Sequence, residues 1–322
     1  MPMERLCPYC DKRACNSDDH VFSQFLGGTA TIKSCKRCND TFGHSFEGPL
    51  SHDLAPLIVM LRRCGLRAPR RVVWRRAIKY GKTQADYDLD SDLTLTPSAP
   101  IFEKEQGTTR RITAASQKQL GQLSKLLEKG GKKTKLRSEQ KTGIDIREFS
   151  FRIKVGHEAR RFALKTAVAV ASKALGWSNM LDPHARGYLL GDLSESLYVR
   201  VDFQNHAQIE AQRPPLSHSV YVKGNGRTGR CYAVVKLYGY IQLYAILNDT
   251  SYAGEDRAAH GLLDIAGGYR ETIGEAEPYL LHEAPTVGSP LLLNVGQKAW
   301  SDKFISECIS LFGDQAPLTL SV

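Results

Sequence analysis

Apolar positions recur along this chain at two spacings, one near the helical period of about 3.6 residues and one near the strand period of about 2, and together they predict an α+β fold. Residues 158–175, EARRFALKTAVAVASKAL, are apolar around much of the helical circumference and predict a central helix packed on a sheet. Its small residues Ala167, Ala169 and Ala171 permit close approach of a neighbouring element, and nothing in it looks catalytic. Residues 48–69 contain an apolar run from Leu54 to Leu61 ended by Gly65 and Pro69, which predicts a shorter bridging helix. Helical spacing at Leu120, Leu123 and Leu127 predicts another helix, broken at Gly130-Gly131 and followed by a flexible basic loop. Residues 300–312 repeat the helical period and predict a closing helix.

Strand signals fill much of the rest. Residues 70–80, RRVVWRRAIKY, alternate apolar and basic side chains and predict a strand with one positive face. Residues 83–103 predict short strands joined by turns, and residues 149–155, 197–203, 219–222, 231–238 and 240–247 read as further strands. The last two are separated only by Gly239, which leaves a bent strand and a hairpin both open. Residues 224–230, GNGRTGR, lack the Gly-Lys-Ser/Thr ending of a nucleotide-binding loop and precede no clear helix, so a hairpin turn is the reading. Residues 252–290 are turn-rich with acidic patches.

Charge changes this picture by its position more than by its sum. The 322 residues carry a formal charge of +10, which points to a polyanionic partner. Residues 1–50 are balanced, with six basic and six acidic side chains, whereas residues 62–82 hold nine basic and none acidic, and residues 118–141 hold eight basic against two acidic. Arg62, Arg63, Arg70, Arg71, Arg75 and Arg76 in the first block, and Lys132, Lys133 and Lys135 in the second, are candidate contacts to a DNA backbone. A solvated face and a flexible basic linker are the alternatives.

The chemistry is concentrated in residues 7–47. Two Cys-x-x-Cys pairs, Cys7/Cys10 and Cys35/Cys38, are what a tetrahedral structural zinc requires, since each tight turn supplies two thiolates. A redox dithiol or a disulfide pair is the alternative, and two matched pairs are more specific for zinc than one. Between and beside the pairs stand Asp19, His20 and Asn39. A zinc ribbon that only binds nucleic acid has no need of a carboxylate, an imidazole and a carboxamide around its metal. Cys15 reads as a spare thiol, and Cys64, Cys231 and Cys308 as buried small hydrophobes.

Asp19-His20-Val21-Phe22, Leu26-Gly27-Gly28 and Cys35-Lys36-Arg37-Cys38-Asn39, followed by Phe42-Gly43, resemble the HNH nuclease family with its zinc-stabilised ββα-metal finger. The resemblance covers about the first fifty residues. It implies that His20 is the general base that activates water, and that Asp19 and Asn39 hold one divalent cation through oxygen, magnesium or manganese by its hardness. His44, about one helical turn after Asn39, is a third candidate ligand, with a phosphate contact or a solvated residue as the other readings. Glu47 is a further residue that could coordinate, with a solvated helix end as the preferred reading. Many family members place an asparagine five residues before the third cysteine, where it braces the loop carrying the catalytic His. Here that position is Ala30, which leaves Thr29 or Thr31 to brace the loop.

The expected organisation is a finger in residues 1–50, a bridging helix and basic strand in 51–82, and an α+β regulatory or DNA-recognition domain in 83–322 with its basic loop at 118–141. The expected function is metal-dependent DNA cleavage, one strand at a time for a single finger, with a partner protein or activating ligand as a candidate control. A non-catalytic zinc-ribbon DNA-binding protein and a ligand-sensing effector with a nuclease output are the competing readings. The opening residues lack a signal-peptide pattern and no apolar run is of membrane-spanning length, so a cytoplasmic protein without membrane association is expected.

Overall fold

The chain turns back on itself within its first forty residues. Strand β1 (Ser17–His20) pairs antiparallel with β2 (Thr31–Ser34), placing His20 opposite Thr31 and Asp19 opposite Ile32. Helix α1 (Lys36–Phe42) follows at once, capped by the Cys35 Sγ, which accepts from the Cys38 amide at 3.4 Å, and by Asn16 Oδ1, which accepts from the Lys36 amide at 2.8 Å. The helix runs on through a π-helical turn (Gly43–Glu47) into α2 (Gly48–Asp53). This is the ββα order that the resemblance to HNH fingers implies. The computed structural model describes residues 6–63, 66, 70–80, 84–105, 108–129, 135–138, 155–177, 180–201 and 213–277.

The described residues fall into two compact units that do not follow chain order. One unit joins Met1–Ser51 to Lys154–Val322, and the other is His52–Ile153. The second unit contains helix α3 (Ala55–Arg63), a three-stranded sheet of β3 (Val73–Tyr80), β4 (Ala85–Asp90) and β5 (Leu95–Pro97), and a sheet of β6 (Ile101–Glu105), β7 (Thr108–Ala114) and β8 (Lys135–Ser138). Helix α4 (Gln117–Lys129) connects β7 to β8, which lie parallel as a helical crossover requires. Strand β8 therefore occupies part of the stretch expected to be a flexible basic loop.

In the first unit, α5 (His157–Leu175) is the predicted central helix, stopped by Gly176 in the left-handed conformation at φ +67°. A shorter α6 (Pro183–Leu190), capped by the Asp182 carboxylate, follows it without having been foreseen. Strands β9 (Val199–Val201), β10 (His218–Asn225), β11 (Arg230–Leu237), β12 (Ile241–Asn248), β13 (Arg257–Asp264) and β14 (Arg270–Ala276) form one antiparallel sheet in the order β14-β13-β10-β11-β12-β9. Val220, Val235, Leu243 and Gly261 lie in register across four strands on the face that meets α5. A Cβ on Gly261 would come within 2.6 Å of Val170, so the helix and sheet can be this close only because that position has no side chain. Tyr221, Tyr232, Val234, Tyr244, Ile246 and Ala258 form a second buried cluster.

Gly239 resolves to a hairpin and not a bent strand. Tyr238 at φ +54° and Gly239 at φ +65° make a tight turn closed by the Tyr240 amide on Leu237 O at 2.9 Å. The glycine-rich stretch at 224–230 is likewise the β10–β11 turn. Residues 252–290 hold the hairpin of β13 and β14 where only turns were expected, because charged, edge-strand residues such as Glu271 and Glu275 carry little apolar pattern. The strand expected at 149–155, apart from Val155, and the helix expected at 300–312 lie outside the described residues. No helix among the described residues is long and apolar enough to cross a membrane.

Candidate active site on the cysteine-pinned finger

Four buried thiols converge at the base of the finger. The sulfur atoms of Cys7, Cys10, Cys35 and Cys38 all lie within 4.8 Å of one another, with Cys10 and Cys35 3.8 Å apart. Tetrahedral zinc with Zn–S bonds of about 2.3 Å sets its sulfurs about 3.8 Å apart, so the cluster fits a structural zinc site. The thiols already perturb one another: Cys7 is pushed down to about 4, chiefly by the Cys38 side chain hydrogen-bonded to it, while the same contact and burial drive Cys38 upward. Among the described residues this is the group of His, Cys, Asp or Glu side chains that fits a metal. Cys15 is not part of it; its thiol faces Lys33 O at 3.4 Å.

Next to this cluster, β1 carries Asp19 and, at its end, His20, and α1 carries Asn39. His20, half-buried at the end of β1, has its Nε2 3.1 Å from the Gln24 Nε2 in the short 3-10 turn Gln24–Leu26. Asn39 Nδ2 donates to Ser17 Oγ at 2.9 Å and to Asp18 O at 3.0 Å, which ties α1 to β1 and leaves Oδ1 as the amide's ligating atom. His44 is exposed on the π-helical turn.

Asp19 is only 2% exposed, and both of its oxygens have partners. Tyr9 OH donates to Oδ2 at 2.6 Å, and the ammonium of Lys165, from the middle of α5, lies 3.0 Å from Oδ1. Burial raises the Asp19 carboxyl, and Lys165 and the Tyr9 hydroxyl oppose that rise. Tyr9 itself is held well above its usual range by burial and by Asp19, so it remains a donor. The same ammonium lies 3.1 Å from Glu47 Oε1 and donates to the backbone carbonyl of His20. Ser23 Oγ donates to Glu47 as well, so Glu47 belongs to a buried network and is not the solvated residue expected. With Lys165 in place, these contacts do not fit a hard cation on Asp19, which would need open oxygen and room for its waters.

The loop between β1 and β2 rests on the sheet of the same unit. Glu271 Oε2, on β14, accepts from the amides of Thr29 and Ala30 at 2.7 Å each and from Thr29 Oγ1 at 3.2 Å. Lys173 donates to Thr31 O at 3.1 Å. Phe22 and Phe25 project to His218 and Phe162, with ring centroids 6.3 Å apart in each case. Gly27, at φ +98°, lies so close to the Tyr269 ring that no Cβ could be accommodated.

The residues that reasoning from sequence missed are therefore Tyr9, Glu47, Lys165 and Glu271. Lys165 left a readable signal: a lone lysine inside the apolar run FALKTAVAV is a candidate for a buried ion pair. The predicted phosphate contacts lie in the second compact unit. Arg70, Arg75 and Arg76 are exposed, and Arg62 is half-buried on α3. Arg71 donates through Nε and Nη2 to Asp90 Oδ2 at 3.0 and 2.6 Å, so its charge is already matched. Arg63 ends α3 and Lys135 opens β8, and Lys132 and Lys133 lie outside the described residues.

No curated protein and no solved structure matches the chain. A family model does, over the stretch that carries the cysteine cluster and the Asp-His-Asn set. Residues 7–55 match a model of the HNH endonuclease family, and the chain thus carries an HNH-type finger near its N-terminus.

Proposed function

We propose that the protein is a metal-dependent DNA endonuclease in which the finger makes the cut and the remainder of the chain governs where or when it is made. The observation that carries this reading is the match of residues 7–55 to HNH endonucleases, supported by a four-cysteine cluster in a ββα segment. His20 takes the proton of the attacking water, a role suited to an imidazole that is half-buried and held at its backbone carbonyl by Lys165. Gln24, 3.1 Å from its Nε2, orients the ring. Zinc on the four thiolates builds the scaffold and takes no part in the chemistry.

Magnesium or manganese enters through the family resemblance, with Asp19 and Asn39 as its ligands; bound there, it would polarise the scissile phosphate. The present partners of Asp19 do not fit that cation. One finger has one site, so the expected product is a nick, and a double-strand break needs a second copy or a second event. Double-stranded DNA is the expected substrate, held through its backbone, with the exposed Arg70, Arg75 and Arg76 as contacts and specificity supplied elsewhere in the chain or by a partner. A role in restriction or anti-phage defence rests on analogy of architecture alone.

Supercoiled plasmid incubated with the zinc-loaded chain and either magnesium, manganese or EDTA tests this reading. Open-circle product that requires the divalent cation is the expected result. Cleavage that persists unchanged in EDTA contradicts metal dependence, and absence of product under every condition contradicts a nuclease that acts alone.

A further inference from the structure

Lys165 is the most unusual residue of the finger's surroundings, because it is fully buried and belongs to a helix far along the chain. Its ammonium has three N–H bonds and three acceptors: Asp19 Oδ1 at 3.0 Å, Glu47 Oε1 at 3.1 Å, and the carbonyl of His20. The acceptors are all residues of the finger, and one is the carboxylate that the family resemblance makes a cation ligand. We propose that Lys165 is a built-in cation that occupies the divalent-metal position of the finger, and that Lys165 and the metal exclude one another at Asp19. The proposal rests on reading Asp19 as the finger's cation ligand, and it concerns what controls that site.

Geometry and charge both require the exclusion. A magnesium ion binds carboxylate oxygen at about 2.1 Å and keeps several waters in a strict octahedron. On Asp19 Oδ1 it would lie within about 5 Å of an ammonium already hydrogen-bonded to the same atom, in a site that excludes water. The other oxygen is taken by the Tyr9 hydroxyl. Asp19 and Glu47 together carry two negative charges against the single positive charge of Lys165, so a divalent ion in place of the ammonium would neutralise the pair. A divalent ion in addition to it would leave an excess positive charge beside the buried Asp19 and Lys165.

The consequence is a link between helix packing and metal affinity. Lys165 is carried by α5, whose residues Ala163, Ala167 and Val170 are fully buried in the core of the unit. Any change that draws α5 away from Asp19 raises cation affinity, and by linkage the cation weakens the hold of α5 on the finger.

Manganese binding to the zinc-loaded full chain tests this without any reference to cleavage. Titration followed by the electron spin resonance of free Mn2+ should show Asp19-dependent binding in the wild type only at the high manganese concentrations that displace Lys165. Lys165→Met should bind at least about 10-fold tighter, a change of about 1.4 kcal/mol, and the gain should vanish in Lys165→Met/Asp19→Asn. At manganese concentrations below wild-type saturation, the melting temperature of Lys165→Met should rise and that of the wild type should not. A Lys165→Met protein that binds no tighter than the wild type overturns the proposal. Should that variant fail to fold, the wild type alone decides: at manganese concentrations below those that support cleavage, paramagnetic broadening of the Tyr9 and His20 resonances in the folded chain overturns it, and their persistence supports it. An inactive protein that nonetheless shows this exclusion retains the proposal and loses the nuclease reading; a cleaving protein without it does the reverse.

Discussion

At the scale of single residues, the unit's core contains a histidine that burial keeps neutral. His218 is fully buried between the rings of Phe22 and Tyr238, and its Nδ1 accepts the Tyr238 amide at 3.1 Å. Burial lowers it to about 3, so the folded state takes up no proton there until well below neutrality. The unfolded chain binds that proton near pH 6.5, so stability falls as the pH drops from about 6.5 towards 3. Between pH 7 and pH 5 the wild type should lose about 2 kcal/mol more than His218→Asn, whose side-chain oxygen can still accept the amide. Denaturant unfolding of the two proteins at both pH values measures the difference, and loss of zinc by protonated thiolates cancels between them. Equal pH dependence would contradict a neutral buried imidazole. Such a residue is hard to read from sequence, because a histidine in a strand looks the same whether its strand is central or at an edge. The four-cysteine cluster was readable because its spacing is local.

Among elements, the loop between β1 and β2 shows where local reading stops. The sequence has Ala30 where many family members have a bracing asparagine, and it offered Thr29 or Thr31 as substitutes. The brace is Glu271 of β14, which accepts both loop amides and the Thr29 hydroxyl, while Lys173 of α5 holds Thr31 O. Glu271 is separated from the loop by most of the chain and sits in a stretch that reads as acidic turns, so no periodicity could have paired the two. Its removal leaves two amides without their acceptor. In Glu271→Ala, hydrogen exchange at Thr29 and Ala30 should quicken by about 10-fold or more, and Glu271→Gln, which keeps an acceptor oxygen, should recover most of the protection. Unchanged exchange in the alanine variant would show that the loop holds its shape without the sheet. The π-helical turn at Gly43–Glu47 is a second such feature: it lies between α1 and α2, and Glu47 at its end reaches the ammonium of Lys165.

For the whole molecule, the finger is recognisable in sequence yet is not a separate body in the fold. Its residues share a compact unit with the sheet and α5, and its aromatic side chains Phe22 and Phe25 lie against that core. Helix α5, the hairpin at Gly224–Arg230 and the short strands of the second unit were legible from period and turn chemistry. The order of the six-stranded sheet and the return of the chain to the finger were not, since they depend on contacts between distant segments. The proposed function stands on DNA cleavage by this finger with His20 as its base. Nicking of supercoiled plasmid by His20→Ala beside the wild type, at equal zinc content and with DNA binding measured in parallel, tests it. A loss of cleavage of at least about 100-fold with binding little changed is expected. Cleavage by His20→Ala at the wild-type rate would contradict it.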